Sequence, residues 1–388
     1  MKYFDYAATT PTAPEAIMVM QNCLGIEGIF ANPASTTHKA GLSAREVVGD
    51  SRATIAQQIN AQSKEIIFTS GATESNNLAI KGYLSRNKRK GNHIITTAIE
   101  HKSVLDVCRY LDNAQLVKVT YLSVNAYGQI SLTDLKKAIR EDTVLISIMA
   151  VNNELGALNP IAEIGEIAKK HRIAFHVDAA QAMGKIPIDV EQMNISLLSM
   201  SAHKCYGPKG IGALYVSRKV RIDPQIHGGS HEMGMRSGTL ATHQISGFST
   251  ALEMMNAWHD VDRLAYMREY LLAQLQQNLS GVQVNTPMDE SYEGILSVSF
   301  AGVDGESLLA MLPDFALSMG SACNSASVEP SHVLAAIGLS PSLAHGTVRI
   351  SFGRYTVLGD VKALSVALIE KVILLRALSP LWSEKECL

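Results

Sequence analysis

The chain has 388 residues, a length at which one hydrophobic core usually stops growing, so two domains are expected. An apolar fraction of 47% and a charged fraction of 18% exclude a disordered or fibrous chain. A net charge of −2 builds no field that would gather nucleic acid or an anionic membrane.

No cationic stretch followed by an apolar run opens the sequence, and no segment approaches about 18 uncharged apolar residues. A cytoplasmic protein is therefore expected. The five cysteines, Cys23, Cys108, Cys205, Cys323 and Cys387, are odd in number and never paired as CxxC. That spacing suggests neither a disulfide framework nor a zinc site.

In chain order, residues 2–14 read as an extended loop around Asp5-Tyr6-Ala7-Ala8-Thr9-Thr10-Pro11. Asn32-Pro33-Ala34-Ser35 is a second loop, and a helical pattern follows it to about Asn60. From residue 65, short β-branched runs predict strands at 66–69, 93–97, 117–122, 144–149, 173–177, 195–200 and 213–216. Helix-compatible segments separate them at 76–84, 104–111, 132–139 and 161–170. Buried strands alternating with helices predict a mostly parallel sheet covered on both faces. Past residue 239 the pattern predicts helices at 245–255, 262–279, 305–312, 331–337 and 360–376, with strands at 295–300, 317–318 and 347–352. The expected division is a large α/β domain over 15–258 and a smaller one formed by 1–14 with 259–388.

Polar residues cluster where predicted strands end, which is where an open parallel sheet binds its ligands. Lys204 follows the strand at 195–200; a lysine there either holds an aldehyde as a Schiff base or is a solvated strand-end residue. Ser70-Gly71-Ala72-Thr73 reads as a phosphate cradle or as an ordinary helix cap. His101 suits ring stacking, proton transfer or capping. Asp178 ends an apolar strand, where a carboxylate needs a partner: a protonated pyridine nitrogen, a metal or a helix N-terminus. No ligand cluster accompanies it at metal spacing, and Gln181 follows three residues on.

The stretch 227–239, with its glycines, two histidines and Arg236, reads as a loop bringing Arg236 or Thr239 to a phosphate, within one subunit or across a subunit boundary. Cys323 lies among small residues, Gly320-Ser321-Ala322-Cys323-Asn324-Ser325, a setting that suits a reactive thiol more than a packed one. Arg349 within a strand suits a two-pronged grip on a carboxylate or an internal ion pair.

Taken together, DYAATTP at 5–11, FTSGATESNNLAIKG at 68–82, EHKSVLD at 100–106, VNNELG at 151–156, HVDAAQ at 176–181, SAHKCYGPKGIGALYV at 201–216, HGGSHEMGMRSGT at 227–239, GSACNSAS at 320–327 and VRISFGR at 348–354 resemble the cysteine desulfurases of iron–sulfur cluster assembly and tRNA thiolation. Those are fold type I pyridoxal-phosphate enzymes. The resemblance implies an α/β fold with a large, mostly parallel seven-stranded sheet domain and a smaller α/β domain. It implies conversion of L-cysteine to L-alanine with sulfur held as a persulfide.

By the same resemblance, Lys204 is the Schiff-base lysine and Cys323 the sulfur acceptor. His101 stacks on pyridoxal 5'-phosphate and serves as a proton-transfer group, Asp178 pairs with the pyridine nitrogen, and Gln181 with the phenolic oxygen. Ala72, Thr73, Ser201 and His203 face the phosphate, joined by Thr239 from the other subunit of a homodimer. Asn153 and Arg349 hold the substrate carboxylate. The implied partners are sulfur-acceptor proteins, such as a cluster scaffold or a tRNA-thiolation protein.

This chain has Asn324, Ser230, Met233 and Ala150 where threonine, glycine, arginine and histidine are more usual in those relatives. An aminotransferase would share Lys204 and Asp178 without needing Cys323. A lyase for selenocysteine or cysteine sulfinate would use the same residues, and a binding subunit without catalysis would not need the set intact.

Overall fold

The computed structural model describes residues 1–258, 260–319, 331–379 and 382. Its elements are β1 (Lys2–Tyr3), α1 (Pro14–Gln21), α2 (Lys39–Gln57), β2 (Ile66–Thr69), α3 (Ala72–Asn87), β3 (His93–Thr97), α4 (Lys102–Asn113), β4 (Lys118–Leu122), α5 (Leu132–Ala138), β5 (Thr143–Ser147), α6 (Ile161–His171), β6 (Ala174–Asp178), β7 (Leu197–Ser201) and β8 (Gly212–Val216). There follow α7 (Thr242–Trp258), α8 (Val261–Asn278), β9 (Val282–Val284), β10 (Ile295–Phe300), α9 (Gly305–Ala310), β11 (Phe315–Ala316), α10 (His332–Ala336), α11 (Pro341–His345), β12 (Thr347–Ser351) and α12 (Leu358–Leu378).

All seven expected strands of the first half are present, in one sheet of order β2-β8-β7-β6-β5-β3-β4. β8 runs antiparallel to β2 and β7, and the remaining pairs are parallel. Alternation along the strands explains why both faces are covered. Ile67, Ile94, Leu145, Leu197 and Leu214 enter one apolar cluster, while their neighbours Phe68, Ile95, Ile146, Leu198 and Ala213 enter the other. Each large side chain so buried contributes roughly 1.5–3 kcal/mol. The edge strand β4 differs: Lys118 and Tyr121 face solvent.

The remainder builds a three-stranded antiparallel sheet, β12-β10-β9, and the pair β1-β11. The N-terminal arm is thus tied to the C-terminal third: Lys2 pairs with Phe315, and Asp5 bridges Ser351. The strand expected at 317–318 sits two residues earlier because β1 pairs there, while Ser318 makes an isolated bridge to Arg349. The helix expected to reach Asn60 stops at Gln57, and Asn60 itself takes a left-handed φ of 55° that helix propagation forbids. Among the described residues, no helix is long and apolar enough to cross a membrane.

Candidate active site

The carboxyl ends of β2, β3, β6 and β7 face one region, and the arm of residues 5–10 crosses it. Lys204 closes the short 3-10 turn Ala202–Lys204 that follows β7. Its Nζ donates to the carbonyls of Ala7 and Ala8, at 2.7 Å each. Gln181 Nε2 donates to the same Ala7 carbonyl at 2.7 Å, and Gln181 Oε1 accepts from Lys185 Nζ at 2.8 Å. His203 Nδ1 lies 3.1 Å from Thr9 Oγ1. Burial, then the charges of Lys204, Lys209 and Lys185, push the His203 imidazole down to about 4, so it is neutral at physiological pH.

Asp178, at the end of β6, is buried. Its Oδ2 accepts from Asn76 Nδ2 at 2.8 Å and its Oδ1 from the Ala180 N–H at 2.9 Å. Both donors are neutral, and among the described residues no cation forms a salt bridge with this carboxylate. Asn76 Nδ2 also donates to Ser103 Oγ at 2.8 Å, and that hydroxyl lies 2.8 Å from His101 Nδ1. The Ser103 N–H donates to the same ring nitrogen at 3.1 Å. With Nδ1 occupied as an acceptor, the neutral His101 ring carries its proton on Nε2. Burial lowers the His101 pKa; Asp178 opposes this and Lys204 adds to it.

The turn from β2 into α3 runs over Ser70 and Gly71. Gly71 has φ 149° and gives α3 no side-chain cap, so first-turn N–H groups remain for a ligand. Ala72 and Thr73 open that helix, and Thr73 lines a groove of ≈ 400 Å³ together with His101. Ser201 Oγ stands 3.6 Å from where a Cβ on Gly71 would lie. Glu74, an anion in the same first turn, is neutralised by Arg236, Nε to Oε1 at 2.8 Å. Burial alone would raise the Glu74 carboxyl, but hydrogen bonds from Arg236 and Ser70 outweigh it and lower the pKa.

These features fit a pyridoxal phosphate. An uncapped helix start suits the phosphate, a buried carboxylate with only neutral donors suits a protonated ring nitrogen, and an amine lies between them. Thr239, by contrast, is exposed, and among the described residues it has no hydrogen bond to the groups above.

Arg349, 2% exposed on β12, donates Nη1 to the Asn153 carbonyl and Nη2 to Asp5 Oδ1, both at 2.8 Å. Its Nε is buried without a partner among the described residues. Cys323 lies outside the described residues. Sequence reasoning brought Lys204, His101, Asp178, Gln181, Thr73, Ser201 and His203 to one region. It missed Asn76, Ser103, Lys185 and the arm residues Asp5, Ala7 and Ala8. Asn76 reads only as a helix residue, and the arm contributes through carbonyls that no residue type reveals.

A family model described as aminotransferase class-V matches residues 2–364. A cysteine desulfurase IscS of Vibrio atlanticus is 52% identical over 384 residues, covering 98% of this chain and 95% of the relative. The counterpart in Colwellia psychrerythraea is 51% identical over 385 residues, with the same coverage. Among solved structures, a NifS-like protein superposes with a TM-score of 0.88 at 34% identity, covering 96% of this chain and 99% of that one. SspA in complex with cysteine gives 0.82 at 41% identity, over 92% and 100%. With its fold and nearly its whole length matched in this way, the chain belongs to the class-V aminotransferase family.

Proposed function

We propose that this chain is a pyridoxal-phosphate-dependent cysteine desulfurase, converting L-cysteine to L-alanine and placing the sulfur on Cys323 as a persulfide. The supporting observation is that Lys204, in the turn after β7, and the buried Asp178, which forms no salt bridge among the described residues, stand at the ends of the adjacent strands β7 and β6, in a chain 52% identical to a cysteine desulfurase. Bound pyridoxal phosphate supplies an electron sink for the pair left on the substrate α-carbon.

The chain's own residues divide the remaining work. Lys204 Nζ, held by the Ala7 and Ala8 carbonyls, would attach the cofactor, and Lys204 or His101 would take the α-proton. Asp178 would pair with the pyridine nitrogen and Gln181 with the phenolic oxygen. His101, with its proton on Nε2, would stack on the ring and pass a proton toward substrate. Ala72, Thr73, Ser201 and His203 receive the phosphate, with Thr239 of the partner subunit completing the set in a homodimer.

Arg349 and Asn153 grip the α-carboxylate; the Nε of Arg349, without a partner among the described residues, is a ready donor. The Cys323 thiolate attacks the substrate sulfur, an S–S bond forms, the Cβ–S bond breaks, and the electron pair stays on Cβ. Protonation of Cβ and return of a proton to Cα yield alanine. The persulfide sulfur then passes to acceptor proteins, such as a cluster scaffold or a tRNA-thiolation protein, in the cytoplasm. In this reading 15–258 binds the cofactor, while 1–14 with 259–388 carries the acceptor cysteine.

The test is to incubate the pyridoxal-phosphate-loaded protein with cysteine and quantify alanine and the Cys323 peptide by mass. Equal early yields of alanine and protein-bound sulfur are expected. Alanine with no sulfur on Cys323 would refute the assignment.

A further inference from the structure

Lys185 is 8% exposed at the end of the turn that follows β6, one of very few lysines placed away from water here. Its Nζ reaches Gln181 Oε1 at 2.8 Å and lies 5.2 Å from the centroid of the Tyr292 ring, whose face attracts a cation. Burial, with Lys204 adding, lowers its pKa to about 7, so holding this amine inside costs free energy that an apolar side chain would avoid.

The geometry shows what the amine does for its neighbour. A glutamine amide has two ends of nearly the same shape, and nothing intrinsic chooses between them. As an ammonium Lys185 only donates, and as a neutral amine it still carries two N–H donors, so in either form it favours the oxygen, which it reaches at 2.8 Å. The N–H end must then point the other way, and it does, onto the Ala7 carbonyl at 2.7 Å beside Lys204 Nζ. Reversed, the amide would set N–H against the Lys185 hydrogens and oxygen against the Ala7 carbonyl. Both contacts would be repulsive at hydrogen-bond distance.

We propose that Lys185 is a positioning residue, fixing through Gln181 Oε1 which end of the Gln181 amide faces the Ala7–Lys204 side, where the cofactor's phenolic oxygen is bound. The inference rests on the assignment of Lys204 and Gln181 to pyridoxal phosphate.

Three proteins test it: wild type, Lys185→Met, which removes the donor, and Lys185→Arg, which keeps a group that only donates. Each is loaded with pyridoxal phosphate, checked by circular dichroism and thermal melting, and dialysed while the visible band is followed. Loss of one well-aligned buried hydrogen bond predicts that Lys185→Met releases cofactor roughly tenfold faster, with Lys185→Arg closer to wild type than to Lys185→Met. A second pair, Gln181→Ala with and without Lys185→Met, should release cofactor at equal rates, because the lysine acts only through the amide.

Wild-type retention in Lys185→Met overturns the proposal, as does a folded Lys185→Arg variant as leaky as Lys185→Met. Lys185→Arg alone decides if Lys185→Met does not fold: tenfold loss there overturns the proposal. Borohydride reduction followed by peptide mapping separates the two levels. A label on a lysine other than Lys204 overturns the cofactor assignment itself; a label on Lys204 with unchanged release rates overturns only the role of Lys185.

Discussion

Arg349 Nη2 and Asp5 Oδ1 stand 2.8 Å apart, joining β12 to the N-terminal arm across 344 positions of sequence. Among the described residues the guanidinium also reaches the Asn153 carbonyl, and its buried Nε has no partner. Asp5 therefore sets how the charged plane of Arg349 is presented. Asp5→Ala leaves a buried cation half-supported and should lower unfolding free energy by about 3 kcal/mol in a urea titration. With Arg349 free to turn, the KM for cysteine should rise about tenfold while kcat changes less, the pattern of lost uniform binding. Asp5→Asn, which keeps an acceptor, should recover part of both. Unchanged KM in Asp5→Ala would detach Arg349 from the substrate.

Arg52 makes a two-pronged pair with Glu232, Nη1 to Oε2 at 2.7 Å and Nη2 to Oε1 at 2.6 Å. Glu232 Oε2 also accepts the Phe68 N–H at 2.6 Å, so one carboxylate pins the segment that leads to Thr239 against β2. Arg52→Met still covers the Phe68 ring, 4.6 Å from the guanidinium, but strands a buried anion. A loss of about 3 kcal/mol is expected. Cofactor release should accelerate in the same variant if the segment carries a phosphate contact. Stability equal to wild type would contradict the first claim.

Gly212, at the start of β8, would put a Cβ 2.4 Å from the Met200 carbonyl oxygen and 2.6 Å from Gly71 Cα. Both are backbone atoms that cannot swing aside. Gly212→Ala must push the β2–α3 turn outward, at a cost of about 1–3 kcal/mol. The visible band should survive gel filtration poorly, and added pyridoxal phosphate should restore it only at raised concentration. Full retention would show that the turn does not form the phosphate side of the pocket.

Lys204→Ala and Cys323→Ala separate the two halves of the reaction. The first should show no visible band from a covalently held cofactor. The second should keep the band and lose persulfide, as read by mass after cysteine addition. Sulfur transfer at the wild-type rate in Cys323→Ala would end the acceptor role.

Six strands of the large sheet were legible because their apolar runs are buried on both faces and broken by turn residues. The edge strand β4, only partly buried, was legible from the strand-favouring Val119, Thr120 and Tyr121. The candidate site was legible where chemistry needs a distinctive side chain at a strand end, as with Lys204, Asp178 and His101. It was not legible where the backbone does the work. Ala7 and Ala8 hold the Lys204 amine by their carbonyls, and α1 and β9 are too short or weakly patterned to stand out. Nor does spacing reveal that Asn76, on α3, links Asp178 to Ser103, because that contact spans 102 and 27 residues in the two directions.

Glu100, between β3 and α4, is fully buried. Its Oε1 accepts from Thr97 Oγ1 at 2.8 Å and from the Met149 N–H at 3.0 Å, while Oε2 is buried without a partner among the described residues. Burial pushes its pKa up to about 8, against the pull of those two bonds. The folded carboxyl thus keeps its proton to about pH 8, whereas the unfolded one releases it near 4.5. Between those values the folded state binds the extra proton, so this group's contribution is complete below pH 4.5 and falls by up to about 1.4 kcal/mol per pH unit as pH rises through the window. Glu100→Gln has no proton to lose. Its stability relative to wild type should therefore increase between pH 5.5 and 8 in matched urea titrations, and parallel profiles for the two proteins would mean that Glu100 is already ionised in the fold.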